Sequence, residues 1–173
     1  MKKKSIHVYF VILVLSLFLF SCARHRHIAP LQVPIREEVS KGAWGFPLAS
    51  SSFVVTSPFG ESRRHRGRHY KHQGIDIKAE KNTPVLATQK GQVIFAGKSG
   101  DYGLLVCIKH DMNWESRYAH LRKINVKRGQ SVKKGQVIGK VGKSGNATGY
   151  HLHFELRRNN VPVNPQPYLS SRK

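Results

Sequence analysis

From Trp44 onward the chain consists of short runs of β-branched and aromatic residues, separated by turns that contain glycine. No stretch of this part keeps the hydrophobic period of a helix for more than about two turns. Short runs between frequent turn residues are typical of strands joined by tight connections. We therefore predict a mainly β domain. The candidate strands are Phe53–Val55, Pro84–Thr88, Gln92–Ala96, Leu104–His110, Glu115–Leu121, Gln136–Val141 and His151–Arg157.

Length and charge limit the class of protein. A chain of 173 residues is sized for one domain with an appendage, because domains usually hold about 100–150 residues. The net charge is +21, but 39% of the residues are hydrophobic, which is too many for a disordered polycation. Such a charge favours a polyanionic environment, which is nucleic acid, acidic lipid headgroups or an anionic cell wall. Charge alone does not choose among these three.

The first 21 residues have the features of an export signal. Lysines at positions 2–4 precede an apolar run from Val8 to Phe20, which is interrupted only by Ser16. These 13 residues would reach about 20 Å as a helix, short of the bilayer core of about 30 Å, so cleavage is favoured over a permanent span. The run ends in Leu19-Phe20-Ser21-Cys22, which resembles a bacterial lipobox, although bulky Phe20 departs from it. We predict a signal peptide over residues 1–21 and lipidation of Cys22; an ordinary signal peptide or an uncleaved anchor are the alternatives.

These features predict an exported lipoprotein that faces the periplasm, held in the outer or the inner membrane. Loss of residues 1–21 removes three lysines and no acid, so the charge falls from +21 to +18. Residues 22–43 contain the lipidated cysteine and two prolines without sustained periodicity, which predicts a flexible tether. Export argues against nucleic acid as a partner. With Cys22 lipidated, Cys107 has no disulfide partner, and its apolar neighbours predict a small buried side chain.

A first motif with metal-binding residues is His72-Gln73-Gly74-Ile75-Asp76. On a straight strand the His and the Asp would stand about 13 Å apart, too far to share an ion. The chain must therefore bend between them, and Gly74 permits a bend. Taken alone, the motif is common by chance.

A second motif is His151-Leu152-His153, whose imidazoles share one face of a strand while Leu152 points to the other face. Alone, such a pair is more often a hydrogen-bonded surface pair than a site. A further histidine, His120, ends another candidate strand, and nothing in its spacing shows that it meets the others. Two His and one Asp would give three ligands and leave a fourth tetrahedral position for water, as a catalytic zinc site requires.

Six stretches in a fixed order between residues 44 and 167 give the chain a family resemblance. They are Ser57-Pro58-Phe59-Gly60, His72 to Ile77, Thr83-Pro84-Val85, Tyr118 to Leu121, Gly135 to Gly139 and Thr148 to Glu155. In this order and spacing they resemble the lysostaphin-type zinc metallopeptidases. The resemblance implies an antiparallel β-sheet domain, barrel- or sandwich-like and with a groove, over residues 44–167, and a basic tail over 168–173. It also implies hydrolysis of peptide crosslinks in peptidoglycan.

The resemblance further assigns roles to five side chains. It implies that His72, Asp76 and His153 bind one Zn²⁺ and that His120 and His151 flank it as the catalytic pair. Zinc in such a site activates water at neutral pH and polarises the scissile carbonyl. One of the two flanking histidines would act as general base and then as proton donor, and the other would donate a hydrogen bond to the oxyanion. The sequence does not say which histidine does which.

Two departures from the family pattern concern the shape of the groove. Tyr150 stands where the family commonly has proline, and Lys109-His110-Asp111 stands where Asp-His-Gly is common. Neither removes a ligand. Glu155 lies two residues beyond His153 on the same strand face, and it either orients an imidazole or forms a cross-strand salt bridge.

Further candidates for the substrate groove come from the basic stretch Arg63–Lys71 and from two tyrosines. The stretch is predicted to be a solvated, mobile loop, and it leads directly into His72. It could also line the groove and attract carboxylates of the wall peptide. The groove candidates are Arg68, Lys71, Tyr118 and Tyr150, with packing in the core or at the rim as the alternative for both tyrosines.

Three other functions compete with a peptidase. The first is a catalytically silent wall-binding protein that activates another wall hydrolase, which would make such hydrolases its partners. Against it, all three ligand positions and both flanking histidines are present. The second is a lipoyl or biotinyl carrier, which Val126–Ile138 resembles, but the modified lysine of such carriers is missing. The third is a nucleic-acid binder, which only the charge supports.

Overall fold

The structure is a computed structural model, and it describes residues 43–50, 53–65, 67–111 and 113–170. The predicted signal peptide, Cys22 and the tether up to residue 42 lie outside these residues. No helix in the described ranges is long and apolar enough to cross a membrane. The strands are β1 (Val55–Ser57), β2 (Ser62–His65), β3 (Arg68–Lys71), β4 (Ile75–Lys78), β5 (Pro84–Leu86), β6 (Gly91–Ser99), β7 (Gly103–Lys109), β8 (Trp114–Ile124), β9 (Ser131–Val132), β10 (Val137–Val141), β11 (His151–Arg158) and β12 (Val161–Val163).

Ten of these strands form one sheet in which every pairing is antiparallel. Its main path runs β1-β4-β11-β8-β7-β6-β9, while β10 bridges β5 and β8. The expected mainly β, antiparallel fold is therefore confirmed. Each candidate strand overlaps an observed one. The sequence prediction missed β2, β3, β4, β9 and β12, which are all four residues long or shorter.

Alternation along β4, β8 and β11 separates an apolar face of the sheet from a polar one. On β11, Leu152, Phe154 and Leu156 are buried in the main core, while the residues between them point to the opposite face. On β4, Ile75 and Ile77 enter the same core. The polar face therefore receives Asp76 from β4 and His151, His153 and Glu155 from β11.

The packed domain extends beyond the predicted boundary at residue 167. Leu169 is buried in the main core and forms a parallel bridge with Trp44. Backbone hydrogen bonds join Trp44 N to Tyr168 O and Ser170 N to Trp44 O. The two ends of the domain are thus fastened to each other, and only residues 171–173 of the predicted tail lie outside the described chain.

The basic stretch before His72 differs from the expected mobile loop, because it forms a hairpin. β2 and β3 pair as a separate two-stranded sheet, with Arg64 opposite His69 and His65 opposite Arg68. Lys71 Nζ donates to Ser62 Oγ and links the two strands of the hairpin, while Asn146 Nδ2 lies 3.2 Å from His65 Nδ1 and joins the hairpin to its surroundings. Local strand pairing was overlooked because charged residues are poor strand indicators.

Candidate metal centre

Three side chains meet on the polar face of the sheet. His72 Nε2 lies 3.0 Å from His153 Nδ1 and 3.3 Å from Asp76 Oδ1, and His153 Nδ1 lies 2.9 Å from the same oxygen. All three residues are buried. Two imidazole nitrogens and a carboxylate oxygen therefore form a compact triangle that could hold one metal ion.

Sheet register and one close approach produce this triangle. Asp76 on β4 is the direct cross-strand partner of His153 on β11. The two strands come together at Gly74, where an added Cβ would lie 2.3 Å from the carbonyl oxygen of Phe154. The chain bends at Gly74, as the sequence predicted. The backbone there is not left-handed, so the need for glycine comes from the space beside Phe154. His72 lies in the connection between β3 and β4, and its imidazole completes the triangle.

Hydrogen bonds fix which nitrogen of each ligand candidate faces the triangle. His72 Nδ1 lies 2.9 Å from the carbonyl oxygen of Pro58, which can only accept, so Nδ1 carries the proton and Nε2 is free. His153 Nε2 lies 3.1 Å from Oε1 of Glu155, so its Nδ1 is the free nitrogen. This is the arrangement in which a second partner orients a metal-binding histidine.

The carboxylate of the triangle stays ionised. Burial alone would raise the pKa of Asp76, but its contacts with His153, His72 and Arg63 outweigh burial and hold the pKa well below its usual range. Burial would lower the pKa of His153, yet Asp76 and Glu155 raise it. Arg63 balances one oxygen of the carboxylate, and the other oxygen faces the two imidazoles, where a proton on His153 or a metal ion can be held.

The donor set fits zinc. Tetrahedral zinc with bonds of about 2.0–2.1 Å places its ligand atoms about 3.3 Å apart, and the three observed separations are 2.9, 3.0 and 3.3 Å. Two nitrogens and one oxygen leave one position of the tetrahedron for water or substrate.

Arg63 reaches the triangle from β2, a contact that could not be predicted from the sequence. Its Nη2 donates to Oδ2 of Asp76 over 2.6 Å, while Oδ1 of the same carboxylate faces the two histidines. Its Nε lies 3.5 Å from Oε2 of Glu61. The hairpin that holds Arg63 is thereby connected to the candidate metal centre.

His120 and His151 lie beside the triangle. The ring of His120 is 4.8 Å from that of His151 and 5.8 Å from that of His153, and Nε2 of His151 is 3.8 Å from Oδ1 of Asp76. The structure thus brings together all five histidine and aspartate side chains that the sequence singled out.

His120 owes its position to a local irregularity in β8. It has a left-handed backbone, with φ of 58°, and the register between β7 and β8 shifts at this point. Such a bulge redirects a side chain out of the alternating pattern. Histidine is among the residues that adopt this conformation more readily than most.

Both flanking histidines are held as neutral bases. Nδ1 of His120 donates to the carbonyl oxygen of Ser144 at 2.9 Å, and Nδ1 of His151 donates to that of Gly149 at 3.0 Å. In each neutral ring, Nε2 is therefore the unprotonated nitrogen. Burial lowers the pKa of His120 to about 4 and also lowers the pKa of His151.

Glu155 fulfils both of its suggested roles. Besides His153 it contacts the hydroxyl of Tyr102, which donates to Oε1 at 2.7 Å, and Nη1 of Arg157 on its own strand, which donates to Oε2 at 2.8 Å. Across the strand pair, Nε of Arg117 lies 4.0 Å from Oε2 and supplies the cross-strand ion pair. Its side chain is fully buried, and burial would raise its pKa, but these partners lower it to about 2. Glu155 is thus an ionised acceptor that orients His153 and is itself held in place.

The groove candidates separate into one buried residue and three at the surface. Tyr118 is fully buried, its ring is 5.3 Å from that of Phe154 in the core, and its hydroxyl is bonded to Thr88. The proposal that Tyr118 lines the groove is therefore wrong, because alternation places it on the apolar face of β8. Tyr150 is 45% exposed, and Arg68 and Lys71 are exposed on β3, so these three remain candidates.

His110, the residue of Lys109-His110-Asp111 that agrees with the family pattern, belongs to a hydrogen-bond chain that leads into the core. His110 Nε2 lies 2.7 Å from Ser116 Oγ, which lies 2.9 Å from the hydroxyl of Tyr118, and that hydroxyl accepts from the backbone N–H of Thr88. Nδ1 of His110 donates to the carbonyl oxygen of Lys90. His110 therefore supports the core and does not join the metal centre.

Within the described residues, the fold and this centre define a β-sheet protein with one candidate three-ligand metal site and two neighbouring histidines. Comparison with known proteins identifies the family. The model of Peptidase family M23 matches residues 70–165, and the chain belongs to this family. The lysostaphin-type resemblance is therefore confirmed.

Relatives of known structure share the fold. A zinc-containing peptidase from Vibrio cholerae superposes with a TM-score of 0.67 at 36% identity, covering 76% of this chain and 41% of that one. The catalytic domain of lysostaphin from Staphylococcus simulans superposes with a TM-score of 0.63 at 31% identity, covering 69% of this chain and 93% of that domain.

A curated relative, the DD-carboxypeptidase/endopeptidase Mpg of Neisseria meningitidis, is 45% identical over 113 residues. The match covers 64% of this chain and 26% of the relative. The chain thus spans about a quarter of the length of this protein.

Proposed function

We propose that the protein is a zinc-dependent endopeptidase that cleaves peptide crosslinks of peptidoglycan. The observation that carries the proposal is the triangle of His72, Asp76 and His153 with two neutral histidines beside it. Membership of Peptidase family M23 and similarity to wall peptidases support it. The proposed cofactor is one Zn²⁺ and the proposed partner is the wall.

His72, Asp76 and His153 would hold the metal through Nε2, Oδ1 and Nδ1. When bound there, zinc supplies Lewis acidity toward water and the scissile carbonyl. Glu155 and the carbonyl of Pro58 keep the two imidazoles turned toward the centre. Arg63 neutralises the second oxygen of Asp76 and leaves the first oxygen for the metal.

Proton transfer falls to His120 and His151. Each presents a lone pair on Nε2, and each has a pKa low enough to be neutral at pH 7. Either can therefore take a proton from the attacking water. Only after this protonation can that nitrogen act as a donor, first to the oxyanion and then to the leaving amine.

We place the protein in the cell envelope as a lipoprotein anchored through Cys22. The apolar run and the lipobox-like end of residues 1–21 support this location, as does a wall substrate, which lies outside the cytoplasm. Tyr150, Arg68 and Lys71 are the proposed contacts for the wall peptide.

Incubation of residues 22–173 carrying Cys22→Ser with purified peptidoglycan tests the activity. Release of fragments with new free amines is expected, and a chelator or His153→Ala should abolish it. His69→Ala, which changes an exposed histidine on β3, is the matched control and should release fragments normally.

Zinc content and wall binding separate the competing outcomes. Equal release by His153→Ala would refute the zinc mechanism. Stoichiometric zinc and intact wall binding without release would favour the silent activator of another wall hydrolase.

A further inference from the structure

The segment from β8 to β10 is strongly basic. Residues 116–154 contain no Asp or Glu. Seven cations lie between Leu121 and Val141, of which six are exposed and Lys140 is half-buried. We call six of the seven, all but Arg122, the basic surface: Lys123, Lys127, Arg128, Lys133, Lys134 and Lys140.

Sheet pairing and a shared depression bring Lys123, Lys127 and Lys140 close together, and the other members of the basic surface lie on the turns that follow β8 and β9. Lys123 on β8 is the direct cross-strand partner of Lys140 on β10. The turn that carries Lys127 and Arg128 is bonded to β6, where Gly129 N donates to Val93 O.

These cations have no charged partner within the domain. Among the described residues, none of the six forms a salt bridge. Lys123 and Lys140 even face each other, and like charges directly opposite are destabilising. By contrast, Arg63, Arg117 and Arg157 near the metal centre are all paired with carboxylates. A cluster of cations that lack carboxylate partners and repel one another would be stabilised by an anion bound from outside the domain.

A shallow depression opens within the basic surface. It has a volume of about 470 Å³ and combines two lysines, two side-chain amides and two aliphatic residues. Ammonium and amide groups bind phosphate oxygens, and aliphatic side chains can contact the glycerol and upper acyl carbons of a lipid. The lining residues are Lys123, Ile124, Asn125, Val126, Lys127 and Gln130.

The chain enters the domain beside this surface. Lys134 Nζ donates to the carbonyl oxygen of Ala43 over 2.9 Å, and Gly45 N donates to the carbonyl oxygen of Thr88. Residues 22–42 lead to this point from the predicted lipidated cysteine. The polypeptide that arrives from the bilayer therefore reaches the domain at its basic surface, which favours lipid over wall as the anion.

We infer that the basic surface binds anionic phospholipid headgroups and holds the domain against the membrane. The inference rests on the proposed envelope location and, in its choice of lipid over wall, on the proposed anchor at Cys22, but it does not require peptidase activity. The site residues His120, His151 and His153 are not part of the surface, so membrane binding and catalysis can be tested separately.

Vesicle co-sedimentation of residues 22–173 carrying Cys22→Ser tests the inference without an acyl chain. We expect binding to vesicles of 30% phosphatidylglycerol in phosphatidylcholine at 50 mM salt, loss of binding at 300 mM, and no binding to pure phosphatidylcholine. Lys127→Gln/Lys133→Gln should weaken binding about 10- to 30-fold, since a basic residue near an anionic surface contributes about 1 kcal/mol.

The matched control is Lys78→Gln/Lys98→Gln, which removes two exposed charges from other strands and should leave binding nearly unchanged. Equal weakening by both pairs would overturn the inference, because binding would then follow net charge. It would also be overturned by retention on purified peptidoglycan without binding to the anionic vesicles. Melting temperatures of both variants verify that they fold. Loss of wall cleavage with intact vesicle binding would refute the proposed peptidase and leave this surface standing.

Discussion

Nη2 of Arg63 lies 2.6 Å from Oδ2 of Asp76, the carboxylate oxygen that does not face His72 and His153. The hairpin of β2 and β3 therefore takes part in the metal centre through one guanidinium group. A partner of this kind orients a metal-binding carboxylate and restricts it to one oxygen.

Arg63→Ala should weaken zinc binding about 10- to 100-fold, the usual loss when a partner of a metal ligand is removed. Arg63→Lys keeps the charge but not the planar geometry, so it should restore only part of the affinity. Competition with a chromogenic chelator measures both. Arg68→Ala, on the exposed side of the same hairpin, is the control; equal affinity of Arg63→Ala and wild type would show that the contact does not position Asp76.

Gly74→Ala should separate β4 from β11. The added Cβ would lie 2.3 Å from the carbonyl oxygen of Phe154, so the strands must move apart and Asp76 moves with them. We expect a loss of a few kcal/mol in the free energy of unfolding, as for other overpacked sites, together with weaker zinc binding. Urea denaturation and zinc titration report the two effects. Gly149→Ala, where no atom lies within 4 Å of the added carbon, should change the stability little; the prediction fails if the two variants behave alike.

Tyr118→Phe should lower stability without affecting zinc affinity. The tyrosine hydroxyl is bonded to Ser116 and Thr88 in the core, and its removal leaves buried polar groups without a partner. The expected cost is about 1–3 kcal/mol in the free energy of unfolding. A groove residue would show the reverse pattern, a raised KM for wall fragments at unchanged stability.

His110 should make the fold less stable in acid. Burial lowers its pKa from 6.5 to about 4 in the folded state, although its bond to Lys90 opposes the shift. Between these two values the unfolded chain binds more protons, so the free energy of unfolding falls as the pH drops through this window, and this group adds no further loss below about 4.

Comparison of wild type with His110→Gln isolates this contribution. The difference in unfolding free energy between pH 7 and pH 5 should shrink by about 1–2 kcal/mol in the variant. Urea denaturation of chelator-treated protein at both pH values measures it. His69→Gln, at an exposed position on β3, is the control, and an unchanged difference in His110→Gln would contradict the assignment.

The alternation of His151, Leu152 and His153 was sufficient to predict one polar and one apolar face on β11. It also predicted that Glu155 would share the polar face. Strand β4 was not predicted because it has only four residues after a glycine turn, too few to show a clear alternation of apolar and polar side chains. The prediction that His72 and His120 belong to the same site came from the family motifs and not from periodicity.

Contacts between residues that lie far apart in the sequence could not be predicted from local sequence patterns. Arg63 reaches Asp76 only because the stretch around it folds as a hairpin, and seven basic residues and histidines near one another suggest a solvated loop. The carbonyl groups of Pro58, Ser144 and Gly149 fix the histidine tautomers, but backbone acceptors cannot be read from residue types. Tyr118 is buried because alternation along β8 places it on the apolar face of the sheet. The bulge at His120 interrupts this alternation, so the sequence alone does not show which residues of β8 face the core.

Two of the ligand candidates, Asp76 and His153, face each other across a backbone ladder in the interior of the sheet. Their spacing is consequently set by strand pairing and is insensitive to the length of the surrounding connections. Loops at the rim can then differ between relatives while the geometry of the candidate metal centre is kept. Domain engineering on this scaffold should therefore begin with rim connections other than the hairpin that holds Arg63, and should leave the central strands untouched.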